Sequence, residues 1–80
     1  MHYVYLIESL SKPGKRYSGY TEDLRRRMGD HNSGRNRSTS LSRPWRLKTY
    51  VAFSSKMQAL TFEAYLKTGS GHAFANKRLW

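Results

Sequence analysis

The chain has 80 residues, with 15 lysines and arginines against five aspartates and glutamates, so its net charge is +10. This length predicts one domain over residues 1–80 with a single modest core, and the absence of cysteine excludes disulfides, thiolate metal sites and a cysteine nucleophile. The positive charge favours a polyanionic partner, DNA first with RNA not excluded. The sequence shows neither a membrane span nor a signal peptide, so we expect a cytoplasmic protein.

Two segments at the start of the chain predict a β-hairpin. Tyr3 to Ile7 is aromatic and β-branched on both faces, which is typical of a central strand covered from two sides. A turn cluster, Ser11 to Gly14, separates it from a second strand over Lys15 to Tyr20. Within that second strand, Gly19 indicates either a bulge or the close approach of another group.

A helix and a basic loop are predicted to follow the hairpin. Thr21 is the expected N-cap of the helix, with Glu22 and Asp23 in its first turn, and the helix should end within Asn32 to Gly34. From Gly34 to Arg46 the chain is rich in serine, arginine and asparagine and has no apolar period. We therefore expect an exposed loop there.

The C-terminal half predicts one more strand and at least one more helix. Leu47 to Phe53 has the composition of a strand. Ser54 or Ser55 could cap a helix running to about Thr68, with Gly69 as its C-terminal stop. The last ten residues are expected to form a short final helix or a docked tail.

The inward face of the first helix can be interpreted in two ways. At about 100° per residue, Leu24, Met28 and His31 share one face and Arg27 lies at its edge. Arg27 could bury only its stem while His31 caps the helix end. Alternatively, Arg27 and His31, four residues apart, project together toward the sheet as a site for an anionic group.

The tyrosines and one glutamate also allow two interpretations. Tyr5 and Tyr17 would most simply be packing residues with a wet hydroxyl, although a phenol can also transfer protons. Glu63 and Lys67, four apart on one helix, could form an ordinary surface ion pair. The whole chain has only five acids, three of them in one predicted helix, which disfavours a two-metal hydrolase.

The arginines and lysines of the loop predict a nucleic-acid-binding surface. The stretch from Arg35 to Lys48 carries five positive residues and no acid, which suits contacts to successive phosphates. Trp45 lies within it, either as a stacking surface for a base or, as we favour, packed under the loop. The predicted nucleic-acid-binding residues are Arg26, Arg35, Arg37, Arg43, Arg46 and Lys48.

Several short motifs follow one another in a specific order along almost the whole chain. They are Tyr3-Val4-Tyr5, Tyr17-Ser18-Gly19-Tyr20-Thr21, Asp23-Leu24, Arg27, His31-Asn32, Gly34, Arg43-Pro44-Trp45 and Glu63 with Tyr65-Leu66-Lys67. This ordered pattern resembles the GIY-YIG nuclease superfamily, and within it the small standalone bacterial group called the URI-domain type. Tyr3-Val4 stands in place of Gly-Ile, and Ser18 replaces the middle residue of the second name motif; neither change removes a chemical group.

The resemblance implies a fold and a cofactor. The fold contains both α and β structure (α/β in the broad sense, α+β in the narrow one), with a small three-stranded antiparallel sheet flanked by helices. The chemistry is phosphodiester hydrolysis assisted by one divalent cation, Mg²⁺ or Mn²⁺, which Glu63 holds while waters complete its coordination. Asn76 lies at a suitable distance after Glu63 to match the late asparagine of the family.

The resemblance also implies roles for individual side chains. Tyr5 or Tyr17 acts as general base on the attacking water, or orients it, and Arg27 stabilises the negative charge of the transition state. His31 assists proton transfer or contacts the phosphate. Gly19 lets the backbone pass close beside the site.

The function predicted from these residues is a metal-dependent endonuclease acting on DNA, in repair or recombination. One alternative is a non-catalytic nucleic-acid-binding module that uses the same basic groove. Another is a small basic partner of a ribonucleoprotein or an acidic protein. We expect a monomer or a weak homodimer, and one site per chain predicts nicking unless two copies pair.

Overall fold

A computed structural model describes all 80 residues and contains three strands and three α-helices. The strands are β1 (His2–Ser9), β2 (Arg16–Thr21) and β3 (Trp45–Phe53), and the helices are α1 (Leu24–Ser33), α2 (Lys56–Tyr65) and α3 (Gly69–Arg78). A single 3-10 turn, Ser40–Ser42, interrupts the loop between α1 and β3. No helix has the length and apolar character that crossing a membrane requires.

The three strands form one antiparallel sheet in the order β2-β1-β3, so the hairpin and the central position predicted for the first strand are confirmed. Four consecutive residues of β1, Val4 to Ile7, are buried, because helices or loops cover both faces of the sheet. In the pairing of β1 with β2, Tyr5 lies opposite Gly19 and Ile7 lies opposite Tyr17. The side chains of these partners therefore share one face of the sheet.

Side-chain alternation along β1 divides the core into two parts. Val4 and Leu6 point to one face, where they pack with buried residues that include Ala59 of α2 and Ala75 of α3. The residue between them, Tyr5, points to the opposite face, as does Ile7. There they pack with Trp45, and Leu24 and Met28 of α1 cover the cluster.

The loop between α1 and β3 is more buried than its composition predicts. Thr39 and Ser42 are 1% and 4% exposed, so the expected exposure is wrong at these two residues, whereas the arginines of the loop are exposed. The cause is a contact with the first residue after the loop: the indole of Trp45 is buried and donates a hydrogen bond from Nε1 to the Thr39 carbonyl, 2.9 Å away. Packing of Trp45 is confirmed, and β3 begins at this residue, before the predicted start at Leu47.

The start of α1 also differs from the prediction. Asp23 is the N-cap of α1, because its carboxylate accepts a hydrogen bond from the Arg26 amide at 3.1 Å. Thr21, predicted for that position, instead accepts from the Asp23 amide and lies at the end of β2. The predicted end of α1 at Gly34 is confirmed, since this glycine has a positive φ of 84° and its amide bonds the Asp30 carbonyl.

The boundary between α2 and α3 corrects a second prediction. Ser55 caps α2 as expected, but α2 ends at Tyr65, and Gly69 is the first residue of α3 rather than a stop. Thr68 supplies the cap of α3 by accepting from the Gly71 amide at 3.1 Å. Gly71 lies so close to the Tyr65 carbonyl that a Cβ would overlap it, and α3 is therefore packed tightly against the end of α2.

Candidate active site

The hydroxyl of Tyr5 joins the sheet to α1. Arg27 donates from Nε to this oxygen over 3.2 Å, and Nε2 of His31 lies 2.8 Å from it. Tyr5 and His31 are both 0% exposed. The interpretation that Arg27 and His31 project together toward the sheet is thus confirmed, and that of His31 as a helix cap is wrong. That the pair binds an anion stays a prediction.

Gly19 is required by the path of the Tyr5 side chain. A Cβ on Gly19 would lie 2.5 Å from the Tyr5 hydroxyl and 2.8 Å from Cζ, so the phenol ring crosses directly over this glycine. The register of β1 with β2 is continuous through this pair, which leaves no bulge there. Of the two alternatives for Gly19, the close approach is the correct one, and it lets a residue of the central strand reach α1.

Tyr17 lies between the two halves of the candidate site. Its half-buried ring meets the His31 ring edge to face, with centroids 5.3 Å apart. The ammonium of Lys67, which follows the end of α2, lies 5.4 Å from the centroid of the Tyr17 ring in a cation–π contact. Tyr17 therefore contacts both His31 of α1 and Lys67, the partner of Glu63.

Glu63 and Lys67 form the second half of the site. The Lys67 ammonium lies 3.5 Å from the Glu63 carboxylate, so the ion pair expected from their spacing is present. The same ammonium also donates to the carbonyl and hydroxyl oxygens of Ser18, at 3.0 and 3.1 Å. Glu63, with a side chain 26% exposed, is in this way directed to the edge strand β2 rather than to open solvent.

The Glu63 carboxylate is a ligand of the kind that a hard divalent cation takes. Mg²⁺ and Mn²⁺ prefer carboxylate, carbonyl and water oxygens, and Glu63 supplies the first kind, whereas the Ser18 oxygens are engaged by Lys67. No group of three or more histidine or acidic side chains converges in the molecule. A cation at Glu63 would therefore complete its coordination mainly with water.

Burial and mutual contact set the charges around Tyr5. Burial raises the pKa of Tyr5 above 10.0, against the opposing effect of the Arg27 hydrogen bond and charge. The pKa of His31 is lowered below 6.5, mainly because the ring is buried and secondly because the charge of Arg27 is close. The hydrogen bond to Tyr5 raises the pKa of Arg27 further. At neutral pH this cluster therefore contains a neutral phenol, a neutral imidazole and one guanidinium cation.

The predicted nucleic-acid-binding residues fall into different environments. Arg35 lies 3.8 Å from Asp30, and Arg46 forms a close ion pair with Glu8, which partly compensates both charges. Arg37 is exposed and forms no ion pair. Lys48 is exposed on β3, Arg43 lies against Gly34, and Arg26 lines a polar groove together with Arg27. Arg37 and Arg43 are thus the loop arginines that form no ion pair.

The structure also locates Asn76 and residues that the sequence analysis left without a role. Asn76 accepts a hydrogen bond from Arg16 at 3.1 Å and lines a cavity shared with Tyr17 and Lys67. Its match to the late asparagine of the family stays a prediction. Thr39, whose hydroxyl contacts His31, gave no sequence signal, because it is one polar residue in a polar loop.

Comparisons with known proteins identify relatives over almost the whole chain. The family described as the GIY-YIG catalytic domain matches residues 1–77. The UPF0213 protein BH0048 of Halalkalibacterium halodurans is 42% identical over 67 residues, which are 82% of this chain and 69% of that protein. A UPF0213 protein of Streptococcus pneumoniae serotype 4 is 41% identical over 66 residues, which are 81% of this chain and 65% of that protein.

A solved structure supports the fold directly. The solution NMR structure of the UPF0213 protein BH0048 from Bacillus halodurans has a TM-score of 0.57 and 35% sequence identity to this chain. The similarity covers 95% of this chain and 82% of that one. The expected fold, a three-stranded antiparallel sheet flanked by helices, is confirmed.

Replacing Gly19 by alanine should disturb the site from the sheet side. Because the new methyl group would collide with the Tyr5 phenol, we expect Gly19→Ala to lower the free energy of unfolding by about 1 to 3 kcal/mol. Urea unfolding measures this loss. Gly29→Ala is the matched control, since nothing lies within 4 Å of a Cβ at this position of α1. We expect this variant to raise the free energy of unfolding by up to about 1 kcal/mol. Equal stability of Gly19→Ala and the parent would contradict the close packing.

Stability should depend on pH through His31. Its pKa is held below 6.5 in the folded chain, so the unfolded chain binds the proton more tightly. The contribution of neutral His31 to the free energy of unfolding is complete above pH 6.5. It is lost as the pH falls from there through the pKa that His31 has in the folded chain. Urea unfolding at about pH 7 and about pH 5 should show the loss, and His31→Gln should lose less.

A separate carboxylate does not confuse this measurement. The Arg46 hydrogen bond holds the pKa of Glu8 below 4.5, so its contribution is lost only at lower pH. The same loss between the two pH values in the parent and in His31→Gln would contradict a neutral buried imidazole.

Proposed function

The chain belongs to the GIY-YIG catalytic domain family, and from this premise we propose that it is a metal-dependent endonuclease that hydrolyses phosphodiester bonds in DNA, in repair or recombination. The observation that carries the proposal is the position of Tyr17. Its ring contacts His31 on one side and Lys67 on the other, and Lys67 pairs with Glu63. A protein that only bound nucleic acid would have no need to assemble these groups around one phenol.

Tyr17 is the residue that meets the attacking water in this proposal. It is half-buried, whereas Tyr5 is fully buried and its hydroxyl is already engaged by Arg27 and His31. The Tyr17 hydroxyl orients the attacking water through a hydrogen bond, and the Lys67 ammonium lies over the same ring.

Arg27 and His31 act on the phosphate side of the reaction. The guanidinium of Arg27 is held by Tyr5 before substrate arrives, so it can stabilise the charge that develops on the phosphoryl oxygens without reorganising. His31, neutral and fixed beside it, keeps the Tyr5 hydroxyl in place.

Glu63 holds one Mg²⁺ or Mn²⁺ in the proposed enzyme. When bound, such an ion polarises a phosphoryl oxygen and makes a coordinated water more acidic. The Lys67 ammonium already contacts the Glu63 carboxylate, so the pair must separate when the carboxylate becomes a ligand. Ser18 can retain Lys67 through its two oxygen contacts.

Removal of the Glu63 carboxylate tests the nuclease proposal. We expect Glu63→Ala to slow cleavage at least about 100-fold while leaving DNA affinity equal or slightly higher, since a negative charge leaves a phosphate site. The assay uses labelled linear, nicked, branched and single-stranded DNAs with Mg²⁺, Mn²⁺ or EDTA. It also identifies the preferred substrate.

Glu22→Ala, which removes an exposed acid outside the Tyr17 contacts, is the control for the change in charge. All three proteins are purified identically so that a contaminating nuclease would appear equally in each. Cleavage by Glu63→Ala at the parental rate would reject the role of Glu63. Binding to every substrate without cleavage by the parent would identify a nucleic-acid-binding module that uses the same groove.

Arg37 should contribute to binding through its charge alone. Because it is exposed and unpaired, Arg37→Ala should lower the slope of log affinity against log salt concentration by about one ion, with little change in substrate preference. Fluorescence anisotropy at several salt concentrations measures the slope. Lys56→Ala at the start of α2, away from the loop, should leave it unchanged, and equal effects of the two variants would count against phosphate contact by the loop.

A further inference from the structure

Thr39 contacts the candidate site from within the basic loop. Its hydroxyl oxygen lies 2.7 Å from Nδ1 of His31 and 3.4 Å from the Asn36 carbonyl, and the residue is 1% exposed. A buried threonine hydroxyl in a polar surface loop is unusual, because serines and threonines of such loops are mostly exposed. The two short contacts of His31, to Tyr5 and to Thr39, involve its two different ring nitrogens.

The protons of this buried chain can be assigned from the available acceptors. The Tyr5 hydroxyl is within reach of Arg27 Nε, which can only donate, and of His31 Nε2. Because Tyr5 is fully buried, its proton must go to His31 Nε2, which is therefore unprotonated. The imidazole proton then lies on Nδ1 and is donated to Thr39, whose own proton is directed to the Asn36 carbonyl.

We propose that Thr39 is a positioning residue that fixes neutral His31 in the Nδ1-protonated form, so that Nε2 accepts the proton of Tyr5. The opposite tautomer would direct an N–H at the Tyr5 oxygen, which already accepts from Arg27. It would also leave the Tyr5 proton without an acceptor in a buried position. The Thr39 hydroxyl therefore acts on Arg27 through two intervening side chains.

The position of Thr39 depends on how the loop is fastened. Its carbonyl accepts from the Trp45 indole at 2.9 Å, and its amide bonds the Asn36 carbonyl at 3.2 Å. The same loop carries Arg35 and Arg37, so the segment proposed to contact phosphates also supplies the hydroxyl that fixes His31. This last consequence rests on the proposed nuclease function, whereas the tautomer of His31 does not.

The tautomer can be read directly by NMR. Long-range correlation of the imidazole carbon-bound protons with the two ring nitrogens, in ¹⁵N-labelled protein, shows which nitrogen carries the proton. His31 signals are identified by their absence in His31→Gln. We expect the Nδ1-protonated form in the parent and in Thr39→Ser, which keeps the hydroxyl. Thr39→Val, which keeps the shape but removes the acceptor, should show the other tautomer or a mixture.

Cleavage provides the second readout. Under the proposed function, Thr39→Val should slow cleavage by about 10- to 100-fold, the loss that follows when the partner of a metal-bound histidine is removed, and Thr39→Ser should retain most of the activity. An Nε2-protonated His31 in the parent would overturn the proposal, as would an unchanged tautomer in Thr39→Val. If Thr39→Val does not fold, Thr39→Ala at lower temperature takes its place under the same criteria.

The two proposals can fail separately. The expected tautomers without DNA cleavage by the parent would reject the nuclease function and leave the role of Thr39 intact. Metal-dependent cleavage with an Nε2-protonated His31 would reject the role of Thr39 alone.

Discussion

The buried hydroxyl of Tyr5 is the constraint on which the other parts of the site depend. A phenol with no access to water must find its hydrogen-bond partners inside the protein, and Arg27 and His31 are those partners. α1 must therefore lie on the sheet in the one rotation that turns both side chains inward. Residue 19 must be a glycine so that the ring can cross the edge strand, and the loop must close so that Thr39 reaches His31.

The scarcity of acidic residues is a second constraint, and it determines where positive charge remains available. Glu8 pairs with Arg46, Asp30 with Arg35, and Glu63 with Lys67. These pairs join strand to strand, loop to helix, and α2 to the turn that follows it. Most of the positive charge is left without an acidic partner, which suits a polyanionic ligand. Glu63 differs from the other acids because its cationic partner also contacts the edge strand beside Tyr17.

The sequence predicts those parts of the fold that depend on local periodicity. The apolar character of both faces of Tyr3 to Ile7 identified a central strand, and the spacing of Arg27 and His31 identified their shared face. Helix boundaries were less predictable. Thr21 and Asp23 each have a side-chain oxygen that could cap α1. Because β2 extends to Thr21, Asp23 is the N-cap.

The features that sequence reasoning missed depend on specific contacts that composition and periodicity do not encode. Gly69 has the composition of a helix stop, yet Thr68 caps a new helix there because α3 packs against the end of α2. The loop has the composition of an exposed segment, yet Trp45 draws Thr39 into the interior. In the candidate site, the family motif supplied Tyr17, Arg27, His31 and Glu63. Thr39 could be found only from the structure.

A comparison of the two tyrosines at the site discriminates most directly between their proposed roles. Single-turnover cleavage and urea unfolding are measured for the parent, Tyr17→Phe and Tyr5→Phe. If Tyr17 meets the attacking water and Tyr5 holds Arg27 and His31, Tyr17→Phe should lose cleavage at unchanged stability. Tyr5→Phe should lose both cleavage and stability, because the buried Nε2 of His31 is left unpaired. Parental cleavage by Tyr17→Phe, or unchanged stability of Tyr5→Phe, would contradict this division of roles.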